Sequence, residues 1–269
     1  MKYRYAEMVW SEIKEAAQQE RVAVLPVGTH EDHGLHLPVD ADVLICTEIC
    51  ERAVAQIPAE AVLVPPVIHG YSPHHMDFPG PITISWDTFI KYVKDVCCSL
   101  AHHDFKRILM VNGHGSNTAP LELAARQSII EYEGKILCAL VNHWEIRKAK
   151  EMGNKLRESD HGGVSHAGEY ETSIYLALKP DLLDMNKAVD ERSPLPPSFQ
   201  ADLLLGANPE GSAAHLMPYW SSMTESGVRG DATKASVEKG KNFLEAAIEG
   251  LIELIREFKV TKILPRKKH

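Results

Sequence analysis

The sequence predicts an α/β fold with a mainly parallel central sheet that is covered by helices on both faces. Four short apolar runs have the pattern of strands, and a helical segment lies between each run and the next. Uninterrupted apolar strands of this kind are typical of a parallel sheet that is buried on both sides. No internal repeat or low-complexity linker divides the chain, so we expect one domain over residues 1–269.

The first half of the chain alternates between helical and extended patterns. Apolar residues recur at helical spacing over residues 8–19, and the continuous apolar run 22–27 predicts the first strand. A helical pattern covers residues 41–56 and is ended by Pro58. The short apolar run at 61–70 predicts the second strand.

The second half continues the alternation. A loop rich in proline and histidine precedes a predicted helix over 86–102, and residues 106–112 form the third predicted strand. A helix over 118–132 leads to the fourth strand at 135–142. A broad apolar face predicts a final helix over 232–258. The irregular stretch before it, residues 190–220, is expected to cross over the site or to reach a neighbouring subunit.

Composition excludes several classes of function. The net charge of −8 argues against nucleic-acid binding, which needs a basic surface. The five cysteines are odd in number and lie in apolar segments, as reduced thiols do. The N-terminus has no apolar signal region, and no run approaches the ~18 apolar residues of a membrane span. We therefore expect a cytoplasmic protein that acts on a small molecule, without nucleic-acid or membrane partners.

The stretch from Val22 to Asp42 carries the clearest chemical signal. An apolar strand breaks at Gly28 and leads into a group of carboxylates and imidazoles, namely Glu31, Asp32, His33, His36, Asp40 and Asp42. These side chains bind divalent metals of intermediate hardness, and ligands gather beyond the carboxyl ends of parallel strands. A solvated acidic loop with incidental histidines is the alternative. It suits any one residue, but a metal site suits the group better.

Histidines also follow the other predicted strands. Those near strand ends, or in the approach to a helix, are His30, His33, His36, His69, His74, His75, His114, His143, His161 and His166. Because the carboxyl ends of parallel strands meet at one edge of a sheet, we expect these side chains to lie along one rim. Scattered surface histidines would not be sorted in this way.

Two further motifs carry chemistry. NGHGSN (112–117) places His114 directly after the third strand, although the same letters also suit a plain strand–helix junction with Asn117 as an N-cap. HAGEYETS (166–173) offers Glu169 and Glu171, which diverge by about 200° on a helix, so at most one can face a given metal. The alternative role for either glutamate is a favourable charge at a helix N-terminus.

These motifs together resemble the creatininase (creatinine amidohydrolase) family. VGTHEDHGLHLPVDADV, HHMDFPG, NGHGSN and HAGEYETS occur in the family's order, over roughly residues 22–175. The resemblance implies a three-layer α/β/α fold, a site for two divalent metal ions (Zn, Mn or Fe) and a ring-shaped homo-oligomer, commonly a hexamer.

The resemblance also implies roles for particular residues. The family's metal-ligand positions match Glu31, His33, Asp42 and His114, with Asp42 as the bridge between the ions. A histidine that acts on the substrate matches His166, and an active-site tryptophan matches Trp144. We also assign substrate binding to His75 and Ser116.

The chain departs from the family pattern at three places, one of which is Pro81 in place of the threonine usual after FPG. Ser116 stands where creatinine-hydrolysing members have a metal-binding glutamate, so we expect Glu169 to complete the metal shell. Glu171, as part of the catalytic apparatus, is then expected to hydrogen-bond His166 or neighbouring backbone and so fix the orientation of the imidazole. Gly162 and Gly163 replace a Trp-Asp pair, which predicts that creatinine itself is a poor substrate.

Two cations bridged by a carboxylate lower the pKa of a shared water and hold hydroxide at neutral pH. With His166 as a proton shuttle, this chemistry predicts hydrolysis of a small cyclic amide. A lactone or a keto-inositol of the 3-dehydro-scyllo-inosose type would suit the same site, and a catalytically silent binding protein on this fold is a further alternative. A dinucleotide-binding oxidoreductase is disfavoured, because no GxGxxG follows the first strand.

Overall fold

A four-stranded parallel sheet forms the middle layer of the protein. The computed structural model describes residues 1–267, so the last two residues of the predicted domain lie outside the described range. The strands are β1 (Val22–Val27), β2 (Ala61–Leu63), β3 (Arg107–Asn112) and β4 (Leu137–Asn142), in the spatial order β2-β1-β3-β4. All their pairings are parallel, which confirms the predicted α/β class.

Helices cover both faces of this sheet. They are α1 (Trp10–Gln18), α2 (Ala41–Gln56), α3 (Trp86–His102), α4 (Thr118–Glu131), α5 (Arg147–Leu156), α6 (Glu169–Leu178) and α7 (Val237–Val260). One apolar core joins the sheet to α1, α3 and α4, and a second joins its other face to α2, α5, α6 and α7. The result is the three-layer α/β/α architecture.

The two cores follow from the alternation of side chains along a strand. Val22 and Val24 of β1 pack into the core with α2 and α7, whereas Ala23 and Leu25 pack into the core with α3. Successive side chains of a strand point to opposite faces, so a strand covered on both sides is apolar at every position. All six residues of β1 are buried, as the continuous apolar run predicts.

Several element boundaries differ from the predicted ones for physical reasons. β2 stops at Leu63, shortly before two prolines, which lack the N–H group needed to extend a sheet ladder. α7 begins at Val237, because the Ser236 hydroxyl accepts a hydrogen bond from the Lys239 backbone N–H and caps the helix there. α5 was not predicted, because most of its residues are polar.

The loop-rich stretch contains two small antiparallel ribbons. β5 (Asp190–Glu191) pairs with β8 (Gly230–Asp231), and β6 (Ala201–Asp202) pairs with β7 (Gly206–Ala207). The pairing of β5 with β8 closes the loop that contains residue 220, and the backbone N–H of Asp231 in β8 donates a hydrogen bond to the carbonyl oxygen of Gly163. No helix among residues 1–267 is long and apolar enough to cross a membrane.

Two glycines allow the start of α2 to approach the strand ends closely. A Cβ atom at Gly28 would lie 2.8 Å from the backbone of Val43, and one at Gly113 would lie 2.4 Å from the carbonyl oxygen of Asp42. Any larger residue would push α2 outward. Because both positions are glycine, Asp42 can lie against the carboxyl ends of β1 and β3.

Candidate metal centre

Five polar side chains converge at the carboxyl edge of the sheet. Glu31 and His33 follow β1, and His114 follows β3. Asp42 lies in the first turn of α2, and Glu171 lies in the first turn of α6. All five are buried, although each is polar or ionisable. This is the edge at which parallel α/β sheets bind their ligands.

The five side chains form two groups that share Asp42. In the first, His114 Nδ1 lies 3.1 Å from Glu31 Oε1 and 3.2 Å from Asp42 Oδ2. In the second, His33 Nε2 lies 3.2 Å from Asp42 Oδ1 and 4.0 Å from Glu171 Oε2. The potential ligand atoms of each group lie within 4.8 Å of one another. The two oxygens of Asp42 therefore face different groups, as expected of a bridging carboxylate.

The bonding state of these atoms fits a divalent cation. Both carboxylate oxygens of Glu31, Asp42 Oδ2 and His33 Nε2 are buried without a hydrogen-bond partner among the described residues. Buried carboxylates are costly unless a cation or a set of donors compensates them. Imidazole and carboxylate ligands together suit zinc, manganese or iron. The donor set thus fits the metal that the sequence predicts.

The backbone holds both imidazoles with one nitrogen toward the cluster. His114 Nε2 lies 3.2 Å from the carbonyl oxygen of Tyr71, and His33 Nδ1 lies 3.4 Å from the carbonyl oxygen of Glu31. When these nitrogens donate, the lone pairs of His114 Nδ1 and His33 Nε2 face the carboxylates. Metal-binding histidines are commonly oriented by such a bond from the second ring nitrogen.

The electrostatics of the cluster show the strength of its negative field. Burial by itself lowers the pKa of His33, but the carboxylates of Asp42 and Glu171 outweigh burial and raise that pKa to about 10. Burial likewise opposes charge on His114, yet Glu31 and Asp42 raise its pKa to about 10. Burial also raises the pKa of Glu171 to about 7. The cluster therefore attracts positive charge, whether protons or metal ions.

His166 lies beside the cluster, in the position predicted for a catalytic group. Its Nδ1 is 3.4 Å from Glu31 Oε1, and its Nε2 is 2.7 Å from the carbonyl oxygen of Asp32. A bond from Nε2–H to that carbonyl leaves the lone pair of Nδ1 directed at the cluster. Burial lowers the pKa of His166 well below its usual value, which favours the neutral ring.

His75 and Asp32 form a buried pair next to His166. His75 Nδ1 lies 2.6 Å from Asp32 Oδ1, and the imidazole rings of His75 and His166 are 4.8 Å apart. His75 Nε2 lies 3.7 Å from Glu31 Oε1. The predicted substrate-binding residue His75 is therefore at the site, held in orientation by Asp32.

Glu169 is directed away from the cluster, contrary to the prediction that it completes the metal shell. Its carboxylate accepts a hydrogen bond of 2.6 Å from Lys239 Nζ on α7 and bonds from the backbone N–H groups of Glu158 and Ser159. Its oxygens are thus fully used by donors of the protein. Glu171, which we expected to hydrogen-bond His166 or neighbouring backbone, accepts a hydrogen bond from the backbone N–H of Ala167, next to His166, and its carboxylate also lies against His33.

The other predicted substrate-binding residues lie in two different environments. Ser116 Oγ is 3.1 Å from Nε2 of His74, whose ring stacks 6.1 Å from that of His114, so Ser116 borders the site. Trp144 lies in the apolar core with Ile146, and its ring meets His143 edge to face. Among the described residues, Trp144 therefore contacts the apolar core and His143 rather than the metal cluster, contrary to its predicted role in substrate binding.

Trp220 is a site residue that the sequence did not reveal. Its indole stacks on the imidazole of His75 at 4.5 Å and meets that of His166 edge to face at 4.9 Å. The indole N–H donates to the carbonyl oxygen of Gly227, which fixes the ring. Trp220 ends the irregular stretch, whose sequence has no period that would indicate which of its side chains faces the site.

Comparison with known proteins shows the family. The model of the creatininase family, described as creatinine amidohydrolase, matches residues 6–255. The chain belongs to the creatininase family. It is 29% identical to the creatinine amidohydrolase of Pseudomonas putida over 265 residues, which is 93% of this chain and 95% of that protein. This creatininase-family protein is therefore a hydrolase.

Relatives within the family differ in substrate. The chain is 26% identical to the 3-dehydro-scyllo-inosose hydrolase of Thermotoga maritima, covering 93% of this chain and 81% of that protein. It is 29% identical to the mycofactocin precursor peptide peptidase of Mycolicibacterium smegmatis, with 88% and 85% covered. Family membership thus establishes hydrolysis but leaves the bond and the substrate open.

Solved structures of the family agree with the fold. A manganese form of creatininase superposes with a TM-score of 0.80 at 28% identity and covers 96% of this chain and 98% of its own. A mutant creatininase in a Zn-Zn form gives a TM-score of 0.79, with the same identity and coverage. Relatives with this fold therefore occur in manganese and zinc forms.

Proposed function

We propose that this protein is a two-metal hydrolase that opens a small cyclic amide. The observation that carries the proposal is the sharing of Asp42 between two ligand groups. We assign Glu31, Asp42 and His114 to one cation and His33, Asp42 and Glu171 to the other. Two divalent cations joined by a carboxylate supply Lewis acidity and lower the pKa of a water between them.

The residues around the cluster would handle the substrate and its protons. His166 Nδ1, the ring nitrogen that faces Glu31, accepts the proton of the attacking water and returns it to the leaving nitrogen. The bond from His166 Nε2 to the carbonyl oxygen of Asp32 keeps the ring in the tautomer that this transfer needs. Trp220 and His75 stack on each other beside His166, so aromatic rings border the site, which suits a planar substrate ring.

The structure leaves several substrate rings open. We expect creatinine to be a poor substrate because Gly162 and Gly163 leave no aromatic or carboxylate group over its ring. Trp220 brings an aromatic ring to the site from another segment, so the expectation now depends on the missing carboxylate. A lactone or a keto-inositol remains a second candidate, supported by the similarity to the Thermotoga maritima enzyme.

Metal quantification of the Asp42→Asn variant tests the shared ligand. We expect elemental mass spectrometry to find two ions per wild-type chain. The Asp42→Asn variant, which lacks the bridging carboxylate, is expected to lose both ions and the hydrolysis of cyclic amides. Asp95→Asn is the matched control, because Asp95 is an exposed aspartate on α3. Full metal occupancy in Asp42→Asn would contradict the assignment. A screen of cyclic amides, lactones, keto-polyols and short peptides then identifies the bond.

A further inference from the structure

Arg229 lies beside His166 and Trp220 at the candidate centre. Its backbone N–H donates a hydrogen bond of 3.0 Å to the carbonyl oxygen of His166. Its guanidinium carbon lies 5.5 Å from the centre of the Trp220 ring. Since Trp220 in turn contacts His75 and His166, the guanidinium is separated from the catalytic imidazoles by one indole ring.

The charge of Arg229 has no partner within the described part of the chain. The residue is only 7% exposed, yet its guanidinium forms no ion pair and no hydrogen bond to any of residues 1–267. Burial is the cause of its lowered pKa, and no carboxylate acts to raise it. By contrast, the guanidinium of Arg157 is paired with Asp202 through two hydrogen bonds of 2.9 Å.

Stacking on Trp220 explains only part of this arrangement. The face of an indole attracts a cation, and such a contact holds the guanidinium plane in place. It does not occupy the five N–H donors, which lie in the plane and need acceptors. The guanidinium nitrogens of Arg229 are not sealed from solvent, so an anion that enters the site can reach them and would complete a cation that is otherwise mostly buried.

We propose that Arg229 binds a carboxylate of the substrate, so that the substrate is a cyclic amide carrying an acidic group beside its ring. This inference rests on the proposed function and narrows it to a substrate class. The planar fork of a guanidinium matches a carboxylate through two parallel hydrogen bonds. One arginine balances a single negative charge, which favours a carboxylate over a phosphate dianion.

The charge balance of the site agrees with this class. Two divalent cations would outweigh the three carboxylates assigned to the cluster, Glu31, Asp42 and Glu171, by one positive charge, and Asp32 is hydrogen-bonded to His75. Arg229 therefore adds a positive charge that the described residues leave uncompensated. A neutral ring such as creatinine would leave the charge of Arg229 uncompensated, whereas an acidic ring would neutralise it.

Matched ligand pairs test the proposal on the metal-loaded enzyme. We would measure by calorimetry the binding of 5-oxoproline against its primary carboxamide, and of hydantoin-5-acetate against hydantoin-5-acetamide. The carboxylate of at least one pair is expected to bind about tenfold more tightly, the effect of one charge-assisted hydrogen bond. Arg229→Gln should abolish that preference, and Arg229→Lys should retain part of it. Both variants should keep the wild-type metal content, because Arg229 is not a ligand.

The outcomes separate this inference from the function on which it rests. The absence of any carboxylate preference in the wild type, or its survival in Arg229→Gln, would overturn the role of Arg229. Preference without turnover of any ring would leave that role intact and contradict the amide hydrolase. If Arg229→Gln does not fold, Arg229→Lys decides, since a carboxylate preference caused by the metal ions alone would be as large in that variant as in the wild type.

Discussion

Glu169 and Glu171 are two positions apart on the same helix and meet opposite environments. Glu169 is enclosed by Lys239 and by backbone N–H groups, and although burial raises its pKa, the hydrogen bond from Lys239 lowers it overall. Glu171 faces His33 and Asp42, where burial raises its pKa to about 7. The same side chain is thus a structural anion at one position and a candidate metal ligand at the other.

A pair of isosteric variants separates these two roles. Glu171→Gln is expected to lose one of the two proposed ions, because an amide oxygen is a weaker ligand than a carboxylate and carries no charge. Glu169→Gln should keep both ions and lower the free energy of unfolding by about 3 kcal/mol, since Lys239 is left without its buried partner. Elemental mass spectrometry and urea unfolding measure the two effects. Loss of metal in Glu169→Gln, with full occupancy in Glu171→Gln, would reverse the assignment.

The sequence did not reveal which side of α6 faces the edge of the sheet. Helical periodicity correctly required that Glu169 and Glu171 diverge, but it does not say which side of the helix faces the sheet edge. Proximity to His166 along the chain suggested Glu169. The packing of α6 against α7 instead directs Glu169 to Lys239. The direction in which each glutamate points is thus set by contacts with residues that are distant in the sequence.

At the scale of elements, the contact between α6 and α7 sets where Glu171 points. A Cβ atom at Gly240 would lie 1.8 Å from the carbonyl oxygen of Ser173, so the two helices touch through backbone. Tyr175 on α6 donates a hydrogen bond of 2.9 Å to Asp40, just before α2. α6 is thereby fixed to both of its neighbours, and with it the carboxylate of Glu171.

Gly240→Ala tests this contact. The added methyl group must push α7 away from α6, and we expect the free energy of unfolding to fall by about 3 kcal/mol, as in an overpacked core. Metal affinity should fall as well, because Glu171 moves with α6. Urea unfolding and metal titration measure both. Gly115→Ala is the control, since a Cβ atom there meets nothing within 4 Å. Equal stability of the two variants would show that the contact yields easily.

The elements that the sequence revealed share a strong local signal. β1 and α2 have the predicted bounds because a fully buried strand is apolar throughout and because helical spacing continues up to a proline. The strand-end rule likewise located Glu31, His33 and His114. α5 was missed because it buries little apolar surface, and Trp220 because an irregular loop has no period that would indicate its direction.

At the scale of the whole molecule, the candidate centre joins segments from separate parts of the fold. Its residues come from the ends of β1 and β3 and from the first turns of α2 and α6. Without cations, their carboxylates and imidazoles remain crowded and buried at the sheet edge. Bound metal would therefore act on the global stability of the protein as well as on its chemistry.

Removal of metal tests this coupling. Dialysis against a chelator is expected to lower the melting temperature, because a ligand that binds only the folded state stabilises it by mass action. Zinc or manganese added back should restore the original value. Scanning calorimetry measures the shift, and Asp42→Asn should show almost none because it holds no metal to lose. An unchanged melting temperature in the wild type would mean that cations contribute little to the fold.

The spread of these residues along the chain also determines when a cation can be captured. Glu31, His33 and Asp42 are close together in sequence, but His114 and Glu171 arrive only after β3 has paired with β1 and α6 has packed. Pairing between distant parallel strands is a slow, late event in folding. A nascent chain therefore offers only part of the candidate ligand set, and the folded protein offers all of it. In the proposed two-metal centre, the choice of ion would thus be deferred until after synthesis, and the ion carried would report the supply at the time of loading.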